Sequence, residues 1–324
     1  MQVATQLEVL DIRHFSARQL RPLLESEADV WQQRLRWNYR GSTELLLQYL
    51  DSHILPGFVA LDRGRVCGFT FCVYEGSKAV VGDAYAVAND REQALHITHV
   101  LLDHLLDLLL HSPGINRIES QLLIYDVGSI DETFRQAGFN LYPRLFMEYN
   151  FDPAAVAEAI PQPDLPKDIG ISRWSGEYYQ HAAELIHEAY TGHIDALIND
   201  QYCSLHGSLR FLHNIVRFPG CGIFDAPNSW VLREAGTDAL AGLVLCSRVA
   251  EEVGHITQLC VAKSWRGQRL GRTLLTHCMS QLAQSGFKAI TLTVTEDNRQ
   301  AVHLYEDLGF QTRHRFEAMV FNKP

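Results

Sequence analysis

Apolar positions in the second half of the chain recur with two different periods. Segments 229–233 (SWVLR), 239–249 (ALAGLVLCSRV) and 254–261 (GHITQLCV) are short apolar runs separated by the turn residues Gly236, Asp238 and Gly254, which predicts three strands. Leu270, Leu274, Cys278 and Leu282 then recur every fourth residue, the stripe of an amphipathic helix over about 267–284. The first half repeats the pattern. Segments 57–61, 66–74 and 79–87 predict three strands, with Gly64 and Gly76-Ser77 as turns, and a helix over about 92–111 follows. That helix contains HVLLDHLLDLLL and is apolar around most of its circumference, so it is expected to lie between layers.

The ends of the halves also correspond. Aligning Gly138-Phe139 with Gly309-Phe310 gives an offset of 171, and both sites run from a short helix into two terminal strands. Between the halves lies FDPAAVAEAIPQPDLPKD, 151–168, whose Pro153, Pro161, Pro163 and Pro166 resist helix and central strand alike. The expected organisation is a domain at 1–150, a Pro-rich linker at 151–168 and a second domain at 169–324. Each domain is expected to be α/β (α+β), with a mixed, mostly antiparallel sheet flanked by helices.

Composition narrows the partners. At 324 residues, 47% hydrophobic and 20% charged, the chain is long enough for two cores and is not disordered. Acidic residues outnumber basic ones by 38 to 28, a formal charge of -10. That sign speaks against nucleic acid or an anionic membrane as partner and suits a small cationic or amine-bearing molecule. The seven cysteines include no Cys-x-x-Cys and read as reduced thiols. The N-terminus lacks a signal-peptide pattern and no apolar run reaches 18 residues, so a cytoplasmic location is expected.

Candidate chemistry concentrates in VAKSWRGQRLGRTLL, 261–275. A strand ends at Val261, a basic turn follows, and a helix begins near Gly267. Amides at a helix start lack intrahelical partners and carry partial positive charge, and glycine lets a phosphate approach the backbone. Arg266, Arg269 and Arg272 add cations, so the turn reads as a pyrophosphate site; a solvated basic first turn is the alternative.

With the text that follows, this segment resembles the GNAT N-acetyltransferase superfamily, here in tandem arrangement. The family's Gln/Arg-x-x-Gly-x-Gly/Ala motif reads Arg266-Gly267-Gln268-Arg269-Leu270-Gly271, and Arg269 stands where the family usually has glycine. Asn298, Ala301, Tyr305 and Gly309-Phe310 match the family's Asn-x-x-Ala-x-x-x-Tyr-x-x-x-Gly-Phe text. The resemblance is strong over about 254–320 and follows strand order over the rest of 168–324. It implies that acetyl-CoA lies where strands 254–261 and 288–295 part. Leu259 and Val261 would pair with the pantetheine arm, the amides of 266–272 (with Gly267, Gln268, Leu270 and Arg272) would hold pyrophosphate, and Asn298 would contact the arm. Tyr305 would be the general acid for the thiolate, and a packing tyrosine is the alternative.

A protonated amine cannot attack a carbonyl, so a base is also required. Period-two alternation puts His255, Thr257, Leu259 and Val261 on one strand face, and His255 occupies a position where family members often carry Glu or His. Glu251 and Glu252 are the carboxylate alternatives. In the first half no glycine occurs between Gly82 and Gly114, and Phe134 stands where Tyr305 does, so that half reads as a degenerate copy. No metal site is expected: Cys203-x-x-His206 with His213 lacks a fourth ligand. In 191–202, TGHIDALINDQY, Asp195 and Asp200 could receive an ammonium group or simply cap a turn. The resulting expectation is acetyl transfer from acetyl-CoA to a small primary amine by direct attack, from a monomer or homodimer. A non-catalytic acyl-CoA sensor and a protein-lysine acetyltransferase are the alternatives.

Overall fold

A computed structural model of the chain describes residues 7–152, 165–217, 220 and 222–323. The chain forms two compact units: one runs to Arg144 and takes back the residues from His314 onward, and the other is Leu145–Arg313. Most of the Pro-rich segment expected as a linker lies outside the described residues.

The first unit orders its strands β1 (Leu7–Asp11), β2 (Gly57–Asp62), β3 (Arg65–Glu75), β4 (Lys78–Ala86), β5 (Arg117–Gln121) and the C-terminal strand β13 (Gln311–Asn322). All neighbours are antiparallel except β4 and β5, which α3 (Arg91–His111) joins as a crossover. The side of α3 bearing Leu101, Leu102, Leu105 and Leu109 is wholly buried, as its apolar text requires. Helices α1 (Ala17–Leu35), α2 (Arg40–Asp51) and α4 (Asp131–Gln136) complete the unit, and a Ser16–Gln19 capping box starts α1.

The second unit repeats this architecture. Its strand order is β6 (Asn140–Asn150), β12 (Ala289–Thr295), β11 (Val253–Val261), β10 (Leu240–Ala250), β9 (Trp230–Glu234) and β7 (Ile169–Arg173), with the two-residue β8 (Ile223–Phe224) against β10. The crossover is α8 (Leu270–Gln284), between the parallel strands β11 and β12. Its predicted stripe of Leu270, Leu274, Cys278 and Leu282 is 0–1% exposed. Small residues on the sheet let it close down: a Cβ on Gly242 would meet Leu274 at 3.0 Å, and one on Gly254 would meet Leu282 at 3.3 Å. On the other sheet face lie α5 (Tyr179–Tyr190), α6 (Asp195–Ile198) and α7 (Leu205–Arg217); α9 (Arg299–Asp307) follows β12. No helix among the described residues is long and apolar enough to cross a membrane.

Two features depart from the sequence pattern. A short strand, β1 or β7, precedes the helices of each unit, and each expected pair of terminal strands is one long strand, β6 or β13. Those long strands also change hands. The last part of β6 belongs to the second unit, where Phe151 N–H donates to Lys288 O at 2.9 Å. In the first unit β13 pairs with β5, from Ala318 opposite Gln121 to Asn322 opposite Arg117. The compact units therefore end at different places from the domain ends 150 and 169 read from the sequence, because their boundaries fall inside β6, between Arg144 and Leu145, and inside β13, between Arg313 and His314.

Candidate active site

The parallel β11–β12 ladder pairs Val253–Ile256 with Ala289–Leu292 and ends there, although the strands continue to Val261 and Thr295. At that point β11 also carries a bulge against β10: Leu245 faces Gln258 and Cys246 faces Ile256, leaving Thr257 as the extra residue. The strands therefore part where the bulge begins.

The turn after Val261 leads to α8, whose first intrahelical bond runs from Thr273 N–H to Arg269 O at 3.0 Å. The amides of Leu270, Gly271 and Arg272 precede that bond and have no acceptor within the helix. Gly267 (φ 80°) and Arg269 (φ 60°) are both left-handed, so Arg269 keeps the backbone that a glycine would adopt there. A Cβ on Gly271 would touch only Val261 at 3.8 Å and Leu304 at 4.0 Å, ordinary contacts. Packing within the chain thus gives no reason for glycine at 271, whereas an anion lying on the amides does. Of the three arginines, Arg266 donates to the carbonyls of Ala189 (2.9 Å) and Val261 (3.5 Å) and Arg272 pairs with Asp307 (2.9 Å). Arg266 also turns its own N–H to Lys263 O at 3.4 Å, so it ties the turn to α5 rather than offering a cation as its sequence position suggested. Arg269 makes no side-chain bond among the described residues.

Tyr305 lies on α9, 8% exposed, in the core beneath α8. Burial and then the charge of Asp195 hold its phenol well above the usual range, so it stays protonated. Asn298 caps α9, accepting Ala301 N–H at 3.3 Å, and its amide nitrogen stands 3.3 Å from His193 Nε2. Cys260 is buried on the α5 side, which pushes its thiol up to about 12.

Residues 181–310 match the acetyltransferase (GNAT) family. That match covers most of the second unit. Mycothiol acetyltransferase of Thermobifida fusca is 39% identical to this chain over 61 residues, 19% of either protein. That of Thermomonospora curvata is 36% identical over 74 residues, 23% of this chain and 25% of the relative. The chain thus spans about a fifth to a quarter of the length of these curated relatives. Among solved structures, an N-acetyltransferase from Sphaerobacter thermophilus shares the fold at TM-score 0.63 and 15% identity, over 98% of this chain and 96% of its own. A tandem GNAT protein from the clavulanic acid biosynthesis pathway does so at 0.60 and 15%, over 98% of each chain. The GNAT fold therefore extends to the first unit.

Within the GNAT unit the bulge corrects one reading of the sequence. Ile256, Leu259 and Val261 pack on the core beneath α8, with Ile290, Leu292 and Val294 of β12. His255 instead meets Thr291, which alternates with those β12 residues: its Nδ1 is 2.9 Å from Thr291 Oγ1, and its ring stacks on Phe146 at 5.9 Å. His255 thus shares no face with Leu259 and Val261, because the extra residue Thr257 reverses the alternation between them. Glu251 and Glu252 sit at the β10–β11 turn, where Glu252 pairs with Lys288 Nζ at 2.7 Å. Thr257 lies five residues further along β11 than Glu252, about 16 Å at strand spacing.

Two residues stand nearer the parting strands than the sequence suggested. Asp195 accepts a hydrogen bond from the Thr295 hydroxyl at the end of β12, and His193 Nδ1 lies 3.5 Å from the same carboxylate. Their sequence signal was only a polar stretch after a helix.

In the first unit the corresponding helix start is closed to anions by its own acid. Asp90 caps α3 by accepting Gln93 N–H at 2.8 Å, and Glu92 adds a second carboxylate to the first turn.

Proposed function

We propose that the chain transfers an acetyl group from acetyl-CoA to a primary amine of a small molecule by direct attack. The observation that carries this reading is the set of unbonded amides at 270–272, reached through a left-handed Arg269, beside the point where β11 and β12 part. The name of the curated relatives favours acetyl as the group carried.

In this reading the amides of Leu270, Gly271 and Arg272 hold pyrophosphate, with Gly267, Gln268 and Arg269 around it and Arg266 bracing the turn. The freed edges of Leu259 and Val261 bind the pantetheine arm beside Asn298. The amine nitrogen attacks the thioester carbonyl, the carbon–sulfur bond breaks, and Tyr305 Oη gives its proton to the departing sulfur. A phenol held protonated by burial suits that donation. A Cys260 thiol pushed up to about 12 is not ionised at neutral pH, which supports direct attack over an acyl-cysteine intermediate. The amine's proton leaves to solvent rather than to His255, which is bonded to Thr291 and shares no face with Leu259 and Val261.

Thiol release with acetyl-CoA and a panel of small amines tests the proposal. Tyr305→Phe keeps the packing and deletes the proton, so kcat should fall about 100-fold while acetyl-CoA affinity barely moves. Binding of acetyl-CoA with no release for any amine would favour a sensor instead. Acetylation of a purified protein partner but of no small amine would favour a protein acetyltransferase.

A further inference from the structure

Asp195 is a largely buried carboxylate, with a side chain 15% exposed, and it has no lysine or arginine partner among the described residues. The Thr295 hydroxyl donates to Oδ1, and His193 Nδ1 lies 3.5 Å from Oδ2. His193 Nδ1 accepts Asp195 N–H at 3.2 Å, and its Nε2 stands 3.3 Å from the Asn298 amide nitrogen, so the ring is fixed between residue 195 and the α9 cap. A carboxylate accepts about four hydrogen bonds, and the one from Thr295 leaves room for more.

A negative charge taken out of water costs several kcal/mol unless a cation answers it. At Asp195 no lysine or arginine among the described residues does so. The site is also aimed at the reaction centre: Asp195 bonds the last residue of β12, His193 touches the residue that caps α9, and α9 carries Tyr305. Burial raises the phenols of Tyr305 and Tyr190, and the carboxylate's charge adds to it at both. His255, in contrast, is held at Thr291, four residues back along β12 from Thr295, or about 13 Å.

We propose that Asp195 is the docking carboxylate for the acceptor's ammonium group, with His193 as its positioning residue, so that the acceptor arrives as a protonated primary amine. This rests on the acetyl-transfer reading above and adds to it the charge state and location of the acceptor. The amine binds as the ammonium ion on Asp195, gives one proton to solvent water, and its nitrogen then meets the thioester beside Tyr305. His193 holds residue 195 through its backbone N–H and does not itself touch the acceptor.

The test compares two amines with the wild-type chain and variants: an alkylamine that is protonated at the assay pH, and trifluoroethylamine, which is largely neutral there. Asp195→Asn should lower the ratio of kcat/KM for the charged amine over the neutral one by about tenfold or more, mainly through KM of the charged amine. Asp195→Glu should recover part of that ratio, and His193→Gln should lower it less than Asp195→Asn does. Calorimetric binding of acetyl-CoA to each variant confirms an intact fold. A ratio unchanged in Asp195→Asn, or an equal loss for both amines, overturns the inference while leaving acetyl transfer standing. A wild-type chain that releases no thiol with any amine overturns the acetyl-transfer reading, and this one with it.

Discussion

At Gly271 fold and function make opposite demands. An added methyl meets only Val261 and Leu304 at ordinary distances, and alanine is the better helix former by about 1 kcal/mol. Gly271→Ala should therefore leave stability unchanged or raised by up to about 1 kcal/mol, measured by thermal unfolding, yet weaken acetyl-CoA binding in calorimetry. Gly271→Glu should weaken it by several kcal/mol, since it sets a carboxylate against phosphate. Equal affinity in a folded Gly271→Ala chain would remove the phosphate site from this turn. Much of this was legible in the sequence, because the spacing of glycines and arginines at 266–272 carries the turn. The left-handed backbone of Arg269 was not, since arginine does not advertise it. Asp195 and His193 were harder still: their importance comes from Thr295 and Asn298, about a hundred residues away in the chain.

Among elements, the strands and the two crossover helices were readable from periodicity, because burial on one stripe or one face dictates it. The bulge at Thr257 was not, for one extra residue leaves an apolar strand equally apolar while reversing which side chains face where. That is why His255 and Leu259 read as neighbours on one face and are not. Comparing the two crossover helices yields a prediction about binding. The α8 start offers amides without acceptors, whereas the α3 start is capped by Asp90 with Glu92 beside it. Like charge and an occupied cap disfavour pyrophosphate there. Calorimetry should give one acetyl-CoA per chain, and two equivalent sites would contradict it.

Across the whole chain, the exchange of β6 and β13 and a buried carboxyl pair govern stability. A fragment of residues 169–324 lacks the end of β6 and carries the end of β13 without β5, so it should aggregate or remain unfolded by circular dichroism. Coexpressing 1–152 with 165–324 should yield a folded, acetyl-CoA-binding complex; a well-folded 169–324 fragment would show the exchange to be dispensable. In the first unit, Glu27 Oε2 and Asp83 Oδ2 are buried with no donor partner. Burial, and for Glu27 the neighbouring Asp83 as well, raises both groups, Asp83 to about 6. Groups raised in the folded state stabilise it below their unfolded values near 4, and that stability is lost as pH climbs through their folded values. Glu27→Gln should therefore raise the Tm relative to wild type more at pH 7.5 than at pH 5. An equal shift at both would mean that the pair is not titrating.

The strand exchange also orders events in time. Chains usually fold domain by domain as they leave the ribosome, at about 5–20 residues per second. Here β5 waits for a partner that begins at His314, 170 residues after Arg144, so the first unit stays incomplete for roughly ten to thirty seconds of synthesis. Throughout that interval the open edge of β5 is available to any other strand in the cell. Any slowing of translation through the second half lengthens that exposure.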